Sequence, residues 1–229
     1  MLFGWLANFS LLPRLASPYW QELTAFTAFF LSHYAVNVPL SLHLPKIVTV
    51  CLSILLIDFL SWIGHFLLHK VPFLWRIHAV HHSQRELNLF TNTRFHFGEA
   101  LIYYPLTILP LYFLLIPLPG GIYYFWFRIW YPRLYHANIR SNFGWLRYIL
   151  VTPQSHRLHH SIHEKHYDRN FGVIFSFWDR LFQTQYHSCQ EYPPTGIGDR
   201  DFPYETQAQP HQLIKTYCQQ TLHPFKWWR

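Results

Sequence analysis

HRLHHSIHEKH, residues 156–166, places five imidazoles in eleven residues. Two readings compete for such a stretch, a solvated polar tract and a metal site, and spacing separates them. His156, His159 and His160 stand at i, i+3 and i+4, so a helix projects all three from one face. Upstream, RIHAVHHS repeats the pattern with His78, His81 and His82, and GHFLLHK adds His65 and His69 at i, i+4. Histidine is the commonest metal ligand, binding through one neutral ring nitrogen while an acceptor behind the other orients the ring. A lone histidine reads as a structural residue, but three clusters with matched helical spacing read as ligands.

Two further histidines are candidates. His136, in LYHANI, is a candidate ninth ligand. His96, in TRFHFGE, is a candidate catalytic residue, as a ligand or as a donor behind one. For each, a structural hydrogen bond is the alternative. Nine or ten imidazoles exceed the needs of one ion, since zinc takes four protein ligands in structural sites and three plus water in catalytic ones. Two metals are the economical reading, and imidazole suits zinc, copper, iron and nickel alike.

The surrounding composition points to lipid. Of 229 residues, 20% are aromatic and only 13% charged, against about a quarter charged in ordinary soluble domains. No Asp, Glu, Lys or Arg occurs between Leu23 and Pro45, or between Ala100 and Phe127. The second of these stretches has Pro117, Pro119, Gly120 and Gly121 near its middle and reads as two helices joined by a turn. With the apolar run from Lys46 to His69, four membrane helices are expected near 22–41, 46–69, 99–116 and 120–136, some of them possible re-entrant pairs.

Charge placement agrees with that topology. Lys70, Arg76, Arg85 and Arg94 in one loop, and ten more Lys or Arg after Ala137, fall on one side, which the positive-inside rule makes cytoplasmic. A net charge of +7 then implies anionic lipid headgroups, and the aromatic residues imply interfacial belts; no nucleic acid is expected. All histidine clusters can meet on that inner side. Asp58, inside the second span and seven residues before His65, is a candidate catalytic residue that orients a ligand, with an ion pair near the interface as the alternative. Cys51, Cys189 and Cys218 form no CxxC pair, so neither a disulfide framework nor a thiolate site is expected.

DFLSWIGHFLLH, LWRIHAVHHS, TRFHFGE, YHANI, SHRLHH and YDRNFGVIFSFWDRLFQT, in that order, resemble the motif series of the sterol desaturase and fatty acid hydroxylase superfamily, membrane non-haem di-iron enzymes. The likeness covers roughly residues 50–187 and is specific in combination, although HxxHH alone carries little information. It implies an all-α integral membrane fold in which about four membrane helices carry a cytosolic helical cap around a histidine-caged dimetal site. It implies two iron ions, O2 as co-substrate, and hydroxylation or desaturation of an unactivated C–H bond in a lipid such as a fatty acyl chain or a sterol.

The same resemblance assigns His65, His69, His78, His81, His82, His156, His159 and His160 as iron ligands and adds His136. It gives Asn170, Asp179 and Arg180 roles in bracing the cap and Asp168 a role beside a ligand-bearing helix, while His163 and His166 match no family position and are expected on the exposed side. LPGG at 118–121 has Leu118 where a haem-binding HPGG has histidine, and there is no GxGxxG fingerprint. Electrons are therefore expected from a separate protein, cytochrome b5-like or ferredoxin-like.

Three segments follow from this reading. Residues 1–21 form an interfacial segment without the marks of a signal peptide, 22–187 the oxygenase domain with its cap, and 188–229 a cytosolic tail. The short N-terminal portion favours a bacterial inner membrane over endoplasmic reticulum. Two rivals fit less well. A membrane zinc hydrolase needs HExxH, and HEKH at 163–166 is one residue short. A non-enzymatic metal transporter or store needs polar residues along the spans, which hold little beyond Asp58 and His33.

Overall fold

The computed structural model describes residues 44–113, 118–186, 188, 190–199, 201–204 and 210–228. The expected interfacial segment 1–21 and first membrane helix 22–41 lie outside the described residues. Among the described residues the protein is helical, with two isolated bridges, Leu150 to Phe175 and Ser161 to Thr195, in place of any strand.

Helix α1 (Lys46–Lys70) is the axis of the molecule. Its interior polar residues turn onto its own backbone: Thr49, Ser53 and Ser61 donate to the carbonyls of Pro45, Val50 and Ile57. That leaves an apolar exterior and satisfies hydroxyls for which lipid would offer no partner. The helix ends because Val71 precedes Pro72, and the residue before proline is pushed to extended backbone, here φ −92°, ψ 116°. Pro72 then opens α2 (Pro72–His82) at its first turn. The chain thus bends once between two histidine-bearing helices, which sets His65 and His69 against His78 and His82.

Helices α3 (Phe97–Phe113) and α4 (Leu118–His136) flank α1. Gly64 is the close-approach point with α3, since a Cβ there would lie 3.0 Å from Tyr103 and 3.1 Å from Leu106. The outer faces carry Ile47, Leu101, Trp126 and Trp130, at 68, 67, 64 and 50% exposure. Of the described helices, α1 alone is both long and apolar enough to cross a membrane. The expected spans near 99–116 and 120–136 are present as helices, but α3 is 17 residues with Pro105 and Pro110 inside it, and α4 carries Arg128 and Arg133.

The cap follows α4. Phe143 in left-handed backbone turns the chain into Gly144–Tyr148, and α5 (Pro153–His159) starts on a capping box in which Thr152 and Ser155 satisfy each other's amides. α6 (Phe177–Leu181) closes it. A core of Ile57, Tyr124, Tyr131, Tyr135, Val151, Val173 and Ile174 joins α1, α4 and the cap. The C-terminal residues expected as a tail are folded against the cap, with α7 (Pro210–Leu222) joined to the start of α3 through His96 and Thr221.

Two buried carboxylates lock the cap to α1. Asp58 accepts from Tyr124 Oη (3.0 Å), Ile174 N (3.1 Å), Phe175 N (3.2 Å) and Trp178 Nε1 (3.0 Å). Asp179 accepts from Trp62 Nε1 (3.0 Å), Phe171 N and Gly172 N (2.8 Å each) and Thr184 Oγ1 (2.7 Å). Between them runs the 171–175 loop. A Cβ on Gly172 would lie 2.9 Å from Phe175 O and from Val151 and 3.0 Å from Asp179, so this turn accepts only glycine. Arg180 donates to Arg147 O and Gln185 Oε1, and Asn170 joins Ser155 O to Tyr186 N.

Removing the carboxylate at position 58 leaves Ile174 N, Phe175 N and Trp178 Nε1 without that acceptor, while Tyr124 Oη keeps Ser61 Oγ at 3.1 Å; a buried donor left unpaired costs about 1–3 kcal/mol. Asp58→Ala is expected to lower stability by about 3–5 kcal/mol and Asp58→Asn by less, read as unfolding midpoints in detergent. Equal stability in all three proteins would contradict this role.

Candidate metal centre

The structure brings all nine histidines expected as ligands into one buried cluster, and it divides them into two groups. His65, His69, His78, His82 and His159 form the first, and His81, His136, His156 and His160 the second. Within each group the available nitrogens lie within 4.8 Å of one another. The division explains the HxxHH pattern. A helix advances about 100° per residue, so i+4 lies about 40° past i while i+3 lies about 60° to its other side. His78 and His82 accordingly face the first group and His81 the second, whereas in the other motif His156 and His160 face the second group and His159 the first. Each HxxHH thus contributes to both groups in opposite proportions.

Backbone carbonyls set the rings. His65 Nδ1 donates to Phe171 O (2.8 Å), His81 Nδ1 to Arg94 O (2.9 Å), His136 Nδ1 to Pro132 O (2.7 Å) and His159 Nδ1 to Arg169 O (2.7 Å). A carbonyl only accepts, so these Nδ1 atoms carry the proton and a neutral ring leaves Nε2 as a bare lone pair. The carbonyls of Arg169 and Phe171 reach two different histidines because Asp168 and Asn170 both sit in left-handed backbone, at φ 58° and 59°.

The bare nitrogens then face each other. His81 Nε2 lies 3.2 Å from His136 Nε2, with both Nδ1 protons already committed. His156 Nε2 lies 2.8 Å from His136 Nε2 and 3.1 Å from His160 Nε2. In the first group, Nε2 of His69, His78, His82 and His159 is buried without a hydrogen-bond partner. Unpaired buried lone pairs are costly, and a cation among them removes the cost. Metal–nitrogen bonds of about 2.0–2.1 Å put neighbouring nitrogens about 3 Å apart, which matches the 2.8–3.2 Å spacing found in the second group. The residues therefore fit a pair of metal ions.

Burial also keeps these rings in the form that binds metal. It pushes His78 down to about 3, His81 to about 4 and His159 to about 3, with neighbouring imidazoles contributing at His81 and His159. His82, His156 and His160 are likewise held well below the ordinary histidine range by burial, then by the histidines around them.

The two candidate catalytic residues lie apart from the cluster. His96 donates from Nε2 to Thr221 O and accepts at Nδ1 from Gly98 N, 2.9 Å each, so both nitrogens are spent on joining α3 to α7. Its candidacy as a ligand is thereby corrected. Asp58 bonds to Tyr124 and the 174–178 segment, not to His65 or an arginine, so it acts on His65 only through the loop that carries Phe171 O. Asp168 meets Lys70 at 2.6 Å and lies 3.9 Å from His69 Nδ1. His163 is exposed as expected; His166 is buried against Ser161 Oγ (2.8 Å) and Glu191 (3.1 Å), contrary to the expectation. Glu99, unnoticed in the sequence although TRFHFGE contains it, is buried with Oε2 3.2 Å from His78 Nδ1. Its signal was an acid opening an apolar helix.

Comparison with known proteins accords with this geometry. The family model for fatty acid hydroxylase matches residues 50–184, more than half of the chain. The chain belongs to the fatty acid hydroxylase family. It is 34% identical over 154 residues to the ornithine lipid hydroxylase OlsE of Rhizobium tropici, covering 67% of this chain and 46% of that one. It is 29% identical over 134 residues to the alkylglycerol monooxygenase of Homo sapiens (56% and 28%) and 26% over 195 residues to the cholesterol 25-hydroxylase of Homo sapiens (76% and 66%). This family member thus spans less than half the length of the first two relatives, and no solved structure matches it.

Two outcomes are expected. Between about pH 6.5 and the depressed values, the unfolded chain takes up protons that the folded cluster refuses, so stability falls with falling pH in that window and is flat above it. The unfolding midpoint of chelator-treated protein, followed from pH 8 to pH 4, checks this; a flat profile contradicts it. Glu99→Gln is expected to weaken metal retention by about 10–100-fold, measured by competition with a chelator.

Proposed function

We propose that this protein is an integral membrane di-iron enzyme that uses O2 to hydroxylate a C–H bond in a lipid. The observation that carries this reading is the pair of buried histidine groups, in the second of which the bare Nε2 atoms of His81 and His136 face each other at 3.2 Å. Membership of the family and relatives named as hydroxylases and a monooxygenase of lipids support it. The apolar outer faces of α1, α3 and α4 support a membrane setting, and the charge bias supports a cytoplasmic cap.

His65, His69, His78, His82 and His159 would hold one iron, and His81, His136, His156 and His160 the other. When bound, the irons supply the reduction of O2 and the insertion of one oxygen atom into the C–H bond. The balance is R–H + O2 + 2 electrons + 2 protons giving R–OH + H2O, with the electrons delivered by a separate donor protein. The chain's own residues perform the remaining tasks. Carbonyls of Arg94, Pro132, Arg169 and Phe171 hold four imidazoles in one tautomer, and the Asp58 and Asp179 clamps fix the loop bearing Phe171 O. Burial of the cluster excludes bulk water, so that oxidation is directed to the lipid.

Anaerobic purification of the full chain, elemental analysis and Mössbauer spectroscopy on iron-57 protein test the proposal. Two irons per chain are expected, falling toward one in His136→Ala, with 18O from 18O2 found in a hydroxylated lipid and turnover reduced at least 100-fold in the variant. A single tightly held zinc, or no bound metal, overturns the reading.

A further inference from the structure

Helix α7 (Pro210–Leu222) is oriented against the rule for a helix lying on a water-soluble domain. Its protein-facing side is polar: Gln220 is buried and donates to Pro203 O (2.8 Å), and His223, just past the helix, is buried 3.5 Å from Asp199. Its outward side is apolar. Ile214, Tyr217, Leu222 and Phe225 are 45, 47, 60 and 44% exposed, with Cys218 exposed among them. Positions 214, 217, 218 and 222 keep the spacing of one helix face. The threonine in that stripe, Thr221, donates its hydroxyl to Tyr217 O (2.9 Å), so it is spent on the helix itself. A helix on a soluble surface buries its apolar stripe and exposes its polar one; here the two are exchanged.

The position of the helix says what covers it. His96, just before α3, donates to Thr221 O, and the ring of Phe225 lies 6.2 Å from that of Phe73 at the start of α2. Both contacts fall where α1 ends at Lys70 and α3 begins at Phe97, the level at which the apolar outer faces of those helices meet the cap. Phe73, Phe97 and Leu101 are exposed there too, so the stripe of α7 continues an apolar belt. Lys215 is exposed on the flank of the stripe, placed for a lipid phosphate. The sequence then runs into FKWW at 225–228, aromatic and basic residue types that settle at headgroup level.

We propose that α7 lies in the plane of the bilayer interface, with Ile214, Tyr217, Leu222 and Phe225 in the acyl boundary about 5–10 Å deep and Lys215 among the headgroups. The helix thereby anchors the C-terminal residues at a fixed depth. Those residues include Asp199 and His223, which line a cavity of about 440 Å³ bordering His69, His82 and His159, so the anchor holds one wall of that cavity at the membrane surface. This rests on the membrane setting proposed above.

Two native cysteines test it in the full chain, since Cys51 on α1 and Cys218 on α7 are both exposed. One protein keeps Cys218 (Cys51→Ser, Cys189→Ser), a second keeps Cys51 (Cys189→Ser, Cys218→Ser), and a third carries Glu164→Cys in the cap with all three native cysteines changed to serine. Each is spin-labelled and reconstituted in nanodiscs of phosphatidylcholine and phosphatidylglycerol. Collision of the label with O2, which concentrates in lipid, is compared with collision with a nickel chelate, which stays in water. At wild-type metal content, the Cys51 and Cys218 labels are both expected to favour O2 over nickel severalfold more than the label at position 164. A Cys51 label in lipid beside a Cys218 label open to nickel overturns the proposal. So does a Cys218 label shielded from both reagents and broadened by a neighbouring label, which would put a second copy of the chain on the stripe. A Cys51 label open to nickel overturns the membrane setting itself, and this proposal with it.

Discussion

Bare imidazole nitrogens held face to face in a dry interior are the constraint on which this structure depends. Burial keeps the rings of α2 and α5 neutral, and four rings of the cluster are turned inward by a carbonyl that takes the only proton. The lone pairs left over repel one another unless a cation lies among them. The helices and the cap serve to hold that arrangement against the repulsion.

The hold is made by acids that never touch the cluster. Asp58 reaches from the middle of α1 to the 174–178 segment, and Asp179 reaches back from the cap to Trp62. The loop between them is tight enough to need Gly172 and presents Phe171 O to His65. On the far side, Asp168 and Asn170 use left-handed backbone so that Arg169 O reaches His159. Ligand geometry is thus set by main chain, and the main chain by buried carboxylates. Polar groups are spent in the same way throughout α1, where hydroxyls turn onto helix carbonyls and the outer face is left to apolar side chains.

C-terminal residues take part in this economy. Their amides and hydroxyls bond to the carbonyls of His160 and Arg85 and bring Asp199 and His223 to the cavity beside the first group. A segment whose composition suggests a tail is therefore part of the site's wall, because it pairs with backbone that the histidine motif had left open.

Spacing alone picked out eight of the nine histidines that gather, since i, i+3 and i+4 share a helix face whatever the rest of the chain does, while His136 stands outside any such cluster; long apolar runs determined the helices near 46–70, 97–113 and 118–136. The partition into five and four was decided by tertiary structure, because it depends on how the face of α2 is rotated against that of α5. So were the fates of three polar residues. His96 sits among the motifs in sequence yet is drawn to Thr221, 125 residues later; Asp58 is drawn to Trp178; Glu99, an acid opening an apolar helix, lands beside His78. Local periodicity dictates which way a side chain leaves its own helix. Its partner is set by the packing of distant segments, and a single sequence carries no local trace of that.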